Sequence, residues 1–403
     1  MKKTVEEGIK KKKIVKFLLS DITYATRDKK EIELLNSMGC EVLVYCSGER
    51  SEIYITDSCI TVQKIERLKL SYTQSKFSRI LKIIERNILL IKTLRSFKAD
   101  CISCHDLEAL FLGWLSGFFM FEVKRPLLVY DSHEFEAGRN TAGKRGRIKQ
   151  WSILHLERFL MRKTAFNMMV NDTIAEEVKK MHHLREKPLV VRNIPAEWDP
   201  KEEICREQRI AFCHELQLPE DTFLLMYHGV LTNGRGIENV VRAIAGLEKV
   251  AVILLGYGES SYVATIKSLI KSLGVEKKVL FHSAVPQGEL WQFIGAADAG
   301  MVLIENVCLS YYYSLPNKLF ENIQSLTPVI GSNFPEISQI IDSYEIGLCC
   351  NPSDPREIAT TIEAMRTDKD KYAFYKKRLG AAKKELSWEN EKIRLQNAYT
   401  TYL

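Results

Sequence analysis

Three stretches of this 403-residue chain set chemically capable side chains at spacings where chemistry is done. At 101–105, "CISCH" places two cysteines three apart with a histidine directly after the second, the spacing by which c-type haem is attached. At 224–244, "LLMYHGVLTNGRGIENVVRAI" sets Gly229, Gly234 and Gly236 around Arg235 and ahead of a helix starting near Ile237. Such a turn brings backbone N–H groups, a helix amino terminus and a guanidinium to one anion, with phosphate the natural ligand. At 314–323, "SLPNKLFENI" opens another helix, with Ser314 expected as N-cap and Pro316 in the first turn. That start can hold an anion with Lys318 nearby, and Glu321, one turn further in, can accept hydrogen bonds from a diol such as a ribose.

Each stretch has a plainer reading. The glycine turn could be an ordinary βα turn with a solvated arginine, and Glu321 a surface glutamate favoured by the helix dipole. "VILLGYGESSYVATI" approaches the dinucleotide fingerprint, but Ser261 stands at its third glycine; close packing of a tight turn accounts for Gly256 and Gly258 equally well. "CISCH" needs an exported protein to be a haem site. The opening "MKKTVEEGIKKKKIVKFLLSD" is basic, yet its apolar run from Ile14 to Leu19 is short and broken by Lys16, so no export signal is expected. If residues 100–104 form a buried strand, Cys101 and Cys104 point to opposite faces, a poor grip on one haem. His105 and Asp106 then fall at the strand's carboxyl end, where open parallel sheets bind their ligands.

The elements that must position these residues follow from the rest of the chain. With 46% hydrophobic and 9% aromatic residues the chain can fill two cores rather than one. The net charge of +7, from 58 lysines and arginines against 51 acids, suits an anionic ligand, lipid or nucleic acid without choosing among them. Ten scattered cysteines, mostly inside apolar stretches, suit a reducing cytoplasm better than a disulfide framework. The longest apolar run, Ala109 to Phe121, has thirteen residues, short of the roughly 20 a membrane-spanning helix needs. Expected strands at 14–19, 41–46, 100–104, 126–131, 165–170 and 188–192 alternate with helices, and "VVRNIPAEWDPKEE" interrupts the pattern as a hinge. The alternation restarts at 222–228, 250–255, 277–281, 299–304, 327–331 and 346–350, and the last fifty residues read as helix. The fold class is therefore α/β, with two doubly wound sheets.

Taken in order, "YHGVLTNGRGIENVVRAI", "VILLGYGE", "VLFHSAVPQGELWQFIGAADAGMVLI" and "SLPNKLFENIQSLTPVIGSNFPEI" resemble the donor-binding domain of family 4 glycosyltransferases, retaining enzymes of the two-Rossmann GT-B fold. The match spans most of residues 222–366; "TRDKKEIELLNSMGCEVLVY", "ADCISCHDLEALFLG" and "LLVYDSHEFE" resemble the family more loosely. The resemblance implies a GT-B chain whose Rossmann-like domains face a central cleft. It divides the chain into an acceptor domain at 1–195, a donor domain at 196–378 and a helical segment at 379–403 packing back on the first. It further implies that Gly229 and Arg235 form the phosphate-binding turn, that the Leu315, Pro316 and Asn317 backbone meets the diphosphate of a nucleotide sugar, and that Gly256 and Lys318 belong to the same donor site. Glu321 would bind the ribose, and His282 to Val285 would line the base. His105 would face the donor sugar, with His133 of "DSHE" a second catalytic candidate beside it.

The chain departs from the family at three places. Val230 stands where many members carry an arginine, Tyr313 stands where the family has a first glutamate, and "SDITYATRD" replaces a glycine-rich loop, with Arg27 free to project there instead. The expected reaction is transfer of a sugar, with retention, from a nucleotide diphosphate sugar to an acceptor hydroxyl in cell-surface polysaccharide or glycolipid synthesis. No cofactor or metal is expected, since the D-x-D at 368–370 sits in a charged helix and no HExxH occurs. The stretch "KFSRILKIIERNILLIKTLRSFK" at 76–98 carries seven basic residues against one glutamate, and "GRNTAGKRGRIK" adds a second basic cluster. Both suit an anionic membrane surface and a saccharide or lipid-linked acceptor, hence a cytoplasmic protein peripheral on the inner face of the membrane. Without a stacking platform for bases, nucleic acid is not an expected partner. The competing readings are a nucleotide-sugar epimerase of the same architecture and a binding module that has lost catalysis.

Overall fold

The computed structural model describes residues 11–66, 76–118, 125–138 and 143–403. The opening ten residues, the end of the apolar run from Phe119 and residues 139–142 of the second basic cluster lie outside them. The chain divides into two compact units, one holding most of the chain up to Arg192 together with Lys392–Leu403, the other Asn193–Glu391.

Among the described residues the first unit carries an eight-stranded sheet made of β1 (Lys13–Phe17), β2 (Glu41–Gly48), β3 (Glu52–Ile55), β4 (Thr61–Glu66), β5 (Cys101–His105), β6 (Leu127–Asp131), β7 (Phe166–Met169) and β8 (Leu189–Val190). Its spatial order is β3-β4-β2-β1-β5-β6-β7-β8, and every pairing is parallel except β3 on β4. The chain order reverses between β1 and β5, and at such a switch point the crevice beyond the strand ends takes ligands. β3 and β4 are additions to the expected strands. "EIYI" and "TVQKIE" are β-branched enough to pair, and β4 reaches the sheet by lying parallel to β2 from Leu43↔Thr61 to Gly48↔Glu66.

The second unit carries β9 (Phe223–His228), β10 (Val250–Leu255), β11 (Val279–His282), β12 (Ala299–Val302), β13 (Val329–Ser332) and β14 (Gly347–Cys350), all parallel, in the order β11-β10-β9-β12-β13-β14. "FLLMYH" and "VAVILL" are buried at every position because helices cover both faces, which is why they read as unbroken apolar runs rather than alternating ones. The helix Ile237–Ala245 places Ile237, Val240, Val241 and Ile244 on its buried stripe, the spacing that docks it against β9 and β10. Each such side chain contributes roughly 1.5–3 kcal/mol by leaving water. Leu379, Ala382 and Leu386 belong to the second unit's core, whereas Lys392–Leu403 groups with the first. Among the described residues no helix is long and apolar enough to cross a membrane.

Candidate active site

In the first unit the strand ends at the switch point carry a buried charge cluster. Lys16, next to the last residue of β1, is fully buried, and its ammonium meets Asp28 Oδ1 at 2.9 Å, Glu31 Oε2 at 2.5 Å, Asp131 Oδ2 at 3.2 Å and Ser103 Oγ at 3.2 Å. Asp28 and Glu31 sit one turn apart on the helix Thr26–Ser37, and register places Ser103 of β5 beside Lys16. Burial opposes the charge on Lys16, but the three carboxylates outweigh it and hold its pKa well above the ordinary value. Arg27 is also buried and lies 2.7 Å from Asp131 Oδ1.

The two candidate histidines sit on top of this cluster. His105 ends β5, and its Nδ1 lies 3.0 Å from Asp28 while its Nε2 lies 3.2 Å from Asp106. Carboxylates only accept, so both ring nitrogens donate and the ring is an imidazolium. Burial works against that charge, yet the bonds to Asp106 and Asp28 and their negative charge dominate and lift its pKa to about 10. His133 follows β6, lies against His105 with ring centroids 3.9 Å apart and planes inclined by 37°, and gives Nε2 to Asp131 at 3.0 Å. Its Nδ1 has no partner among the described residues and its side chain is 21% exposed, so it can meet a substrate hydroxyl. Asp106 accepts from the His133 backbone N–H at 3.2 Å and holds a left-handed φ of 66°, a strained conformation of the kind that gathers at functional sites.

Asp28, His105, Asp131 and His133 offer atoms within 4.8 Å of one another and so could in principle share an ion. Lys16 already lies against both aspartates, and the histidine contacts have hydrogen-bond lengths. Lys16 therefore brings a positive charge to the same two aspartates.

In the second unit the glycine motifs interlock. Gly229 donates its N–H to Leu255 and holds a φ of 110°; a Cβ on Gly256 would fall 1.9 Å from the Gly229 carbonyl oxygen. The two turns can therefore stack only because position 256 is glycine, and Gly229 takes a φ that side chains rarely adopt. Gly258 continues the contact through a bridge to Leu231. Beside Gly229 lies Lys318, whose ammonium stands over the Tyr227 ring at 4.3 Å from its centroid and donates to the Tyr227 hydroxyl at 3.0 Å. Loss of hydration and the nearby positive charge of Arg235 lower the Lys318 pKa to about 7, while Glu321 pulls the other way. Arg235 stacks on Tyr311, its guanidinium carbon 4.8 Å from the ring centroid.

The helix Asn317–Gln324 begins after Pro316 with no side-chain cap. Ser314 is not its N-cap, as the sequence suggested: Pro316 takes that position, and the Ser314 hydroxyl turns back to donate to the Tyr311 carbonyl at 2.7 Å. Asn317 is exposed, while Leu315 and Pro316 are half-buried beside the start. Glu321 lies three residues past Lys318 on the same helix and meets His228 Nε2 at 2.8 Å. Val230 is 44% exposed, and its side chain brings no charge to that corner of the turn. His282 ends β11 beside Phe293, its Nδ1 engaged with the Ser283 carbonyl, and Val285 packs half-buried against the core that includes Phe293.

The structure thus brings Gly229, Arg235, Gly256, Lys318 and Glu321 together in one unit and His105 with His133 in the other. Sequence reasoning missed Lys16, Asp28, Glu31, Asp131, Tyr227 and His228. One signal was there to read: a lysine in the middle of the apolar run of β1 is out of place unless something buried pairs it.

Comparison with known proteins bears on the fold and on the class of enzyme. Residues 209–383 match the family described as Glycosyl transferases group 1. An uncharacterized glycosyltransferase of Methanocaldococcus jannaschii is 26% identical over 311 residues, covering 75% of each chain. Among solved structures, sucrose-phosphate synthase from Thermosynechococcus elongatus superposes with a TM-score of 0.76 at 15% identity, over 97% of this chain and 99% of that one. HepE of Anabaena, solved with UDP and glucose, gives 0.73 at 15% identity over 97% and 100%. The fold is that of the GT-B glycosyltransferases, two Rossmann-like parallel-sheet domains, and the chain is a glycosyltransferase with a group 1 domain in its second half.

Proposed function

We propose that this glycosyltransferase uses a nucleotide diphosphate sugar and transfers the sugar with retention to an acceptor hydroxyl. The observation that carries the reading is the convergence of Lys318, Arg235 and an uncapped helix start beside the Gly229 turn. The positive charge of Arg235 bears on Lys318, and a dianion would relieve that repulsion; the diphosphate of a nucleotide sugar has that charge. Glu321, fixed by His228, accepts the ribose diol. Gly256 lets the turns approach the ligand, while Leu315, Pro316 and Asn317 lend backbone, and His282 and Val285 flank the base. HepE, solved with UDP and with UDP-glucose, supports this class of donor.

As the bond from the anomeric carbon to the leaving phosphate oxygen breaks, Lys318, Arg235 and the helix start take up the developing negative charge. The acceptor oxygen forms its bond on the same face, and its proton passes to the departing diphosphate. His105 provides a fixed positive charge and His133 a ring nitrogen for substrate hydroxyls. The protein supplies its own cations, so turnover is expected without added metal.

Thermal stabilisation by UDP, GDP, ADP and CMP and their sugar conjugates tests the donor site, comparing the wild type with Glu321→Ala. One nucleotide family should stabilise the wild type and not the variant; no stabilisation at millimolar ligand overturns the reading. Turnover of donor without acceptor would instead identify an epimerase, and binding with no transfer to any acceptor a degenerate module.

The same proposal extends to a lipid-linked acceptor in polysaccharide or glycolipid synthesis. On the helix Lys76–Phe97, Leu81, Ile84 and Ile88 are 49%, 47% and 48% exposed, and Lys92 and Arg95 continue that stripe outward. An outward apolar stripe ending in cations fits an anionic membrane surface. Sedimentation with phosphatidylglycerol vesicles but not with phosphatidylcholine vesicles is the expected result.

A further inference from the structure

We propose that Tyr399, in the chain's last helix, is a positioning residue for the His105 and His133 pair, acting through Glu31 and Lys16. The inference rests on the role given above to the histidines. The helix Trp388–Tyr402 delivers Tyr399 into the first unit, where it is fully buried with its ring edge-on to Phe166 at 5.2 Å between centroids. Packing alone would ask only for a phenylalanine there. The hydroxyl instead donates to Glu31 Oε1, which also accepts from Ser103 Oγ at 2.7 Å. The other oxygen of the same carboxylate takes Lys16 at 2.5 Å.

Lys16 has three N–H groups and four oxygen partners, so its place is a compromise between Glu31 on one side and Asp28 and Asp131 on the other. Those two aspartates are the ones that hold the histidines. The charges of the cluster come within one of balance, on the negative side. Asp28, Glu31, Asp106 and Asp131 bring four negative charges, Lys16 and Arg27 return two, and the imidazolium of His105 returns a third. With so little surplus, what satisfies Glu31 decides how much of Lys16 is left for Asp28.

Removing the Tyr399 hydroxyl leaves Glu31 short of a donor, so Lys16 moves toward it and Asp28 is left more negative. His105 should then hold its proton more tightly. Neutralising Glu31 does the reverse: Lys16 turns to Asp28 and Asp131, and His105 releases its proton more readily. The groups facing His105 are Asp28 from the first helix, Asp106 beside it, His133 and Asp131 from the end of β6, and Lys16 from β1.

The test is NMR titration of histidine-labelled full-length protein, with the pH profile of kcat measured alongside. Relative to wild type, the His105 midpoint should rise by about half a pH unit in Tyr399→Phe and fall by about one in Glu31→Gln. Tyr402→Phe, which alters the same helix at a ring stacked on Phe166, should leave it unchanged. Opposite shifts in the first two variants support the inference, and if one of them does not fold, the other's shift in its stated direction carries the test. A His105 midpoint common to all four proteins overturns it and leaves Tyr399 as a helix anchor. Shifts in the midpoint without a matching shift in the kcat profile support the positioning claim and overturn the part given to His105 in turnover.

Discussion

Lys318 gives the sharpest prediction, because its charge is in balance near neutral pH. Burial and Arg235 lower its pKa to about 7, with Tyr227, His228 and Glu321 the other polar groups around it. If only the ammonium form binds the diphosphate, donor affinity should hold below pH 7 and weaken by about tenfold per pH unit above it, or on the order of a hundredfold between pH 6 and 9. Binding at pH 8 should take up close to one proton from the buffer. Isothermal titration in buffers of different ionisation enthalpy reads both quantities. The ligand should be an intact nucleotide sugar, since its diphosphate diester does not itself titrate in this range. Lys318→Arg keeps the charge at every pH, so proton uptake should vanish and the pH dependence flatten. Lys318→Met loses a charge-assisted hydrogen bond, about 1.5–3 kcal/mol or roughly 10- to 150-fold in affinity. Affinity that is flat from pH 6 to 9 in the wild type, or proton uptake that survives in Lys318→Arg, would refute the reasoning.

Two stability predictions follow from the same geometry. The His105 pKa is raised from 6.5 to about 10, so its contribution is complete below pH 6.5 and is lost as pH rises through 10. Lys318 has the opposite sign: its pKa is lowered from 10.5 to about 7, so its cost is relieved as pH rises through that window. The two slopes offset in the wild type. Denaturant melts at pH 7 and 9 should therefore show His105→Gln gaining stability with pH relative to wild type and Lys318→Met losing it; parallel curves would contradict both assignments. The second prediction concerns the stacked turns. Gly256→Ala meets the Gly229 carbonyl at 1.9 Å with φ at 148° and should cost about 3 kcal/mol or more, whereas Gly39→Ala, at φ 80° with nothing within 4 Å, should cost about 1 kcal/mol. Equal melting temperatures for the two variants would show that the close approach is not what the glycine serves.

Much of the second unit could be read directly from the chain, because its parts are local. Phe223–His228, the glycine turn and Ile237–Ala245 are neighbours in sequence, and strand, turn and helix signals there act over a few residues. The cap of Asn317–Gln324 was misread because Ser314 had a nearer competitor, the Tyr311 carbonyl, and hydroxyls choose between local partners by geometry that composition does not reveal. The β3 and β4 pair was overlooked because the pairing of β4 with β2 is a long-range choice made by the sheet.

The sequence by itself determined the α/β alternation, the glycine turns and the order of the motifs along the second unit, since each is written in residues close along the chain. Only the tertiary structure decided the charge state of the site. Lys16, Asp28, Glu31, Ser103, Asp131 and Tyr399 are spread over nearly the whole chain and meet because β1, β5 and β6 lie side by side and the last helix ends among them. Burial there removes the water that would otherwise screen each charge, so pKa values depend on neighbours that only folding supplies.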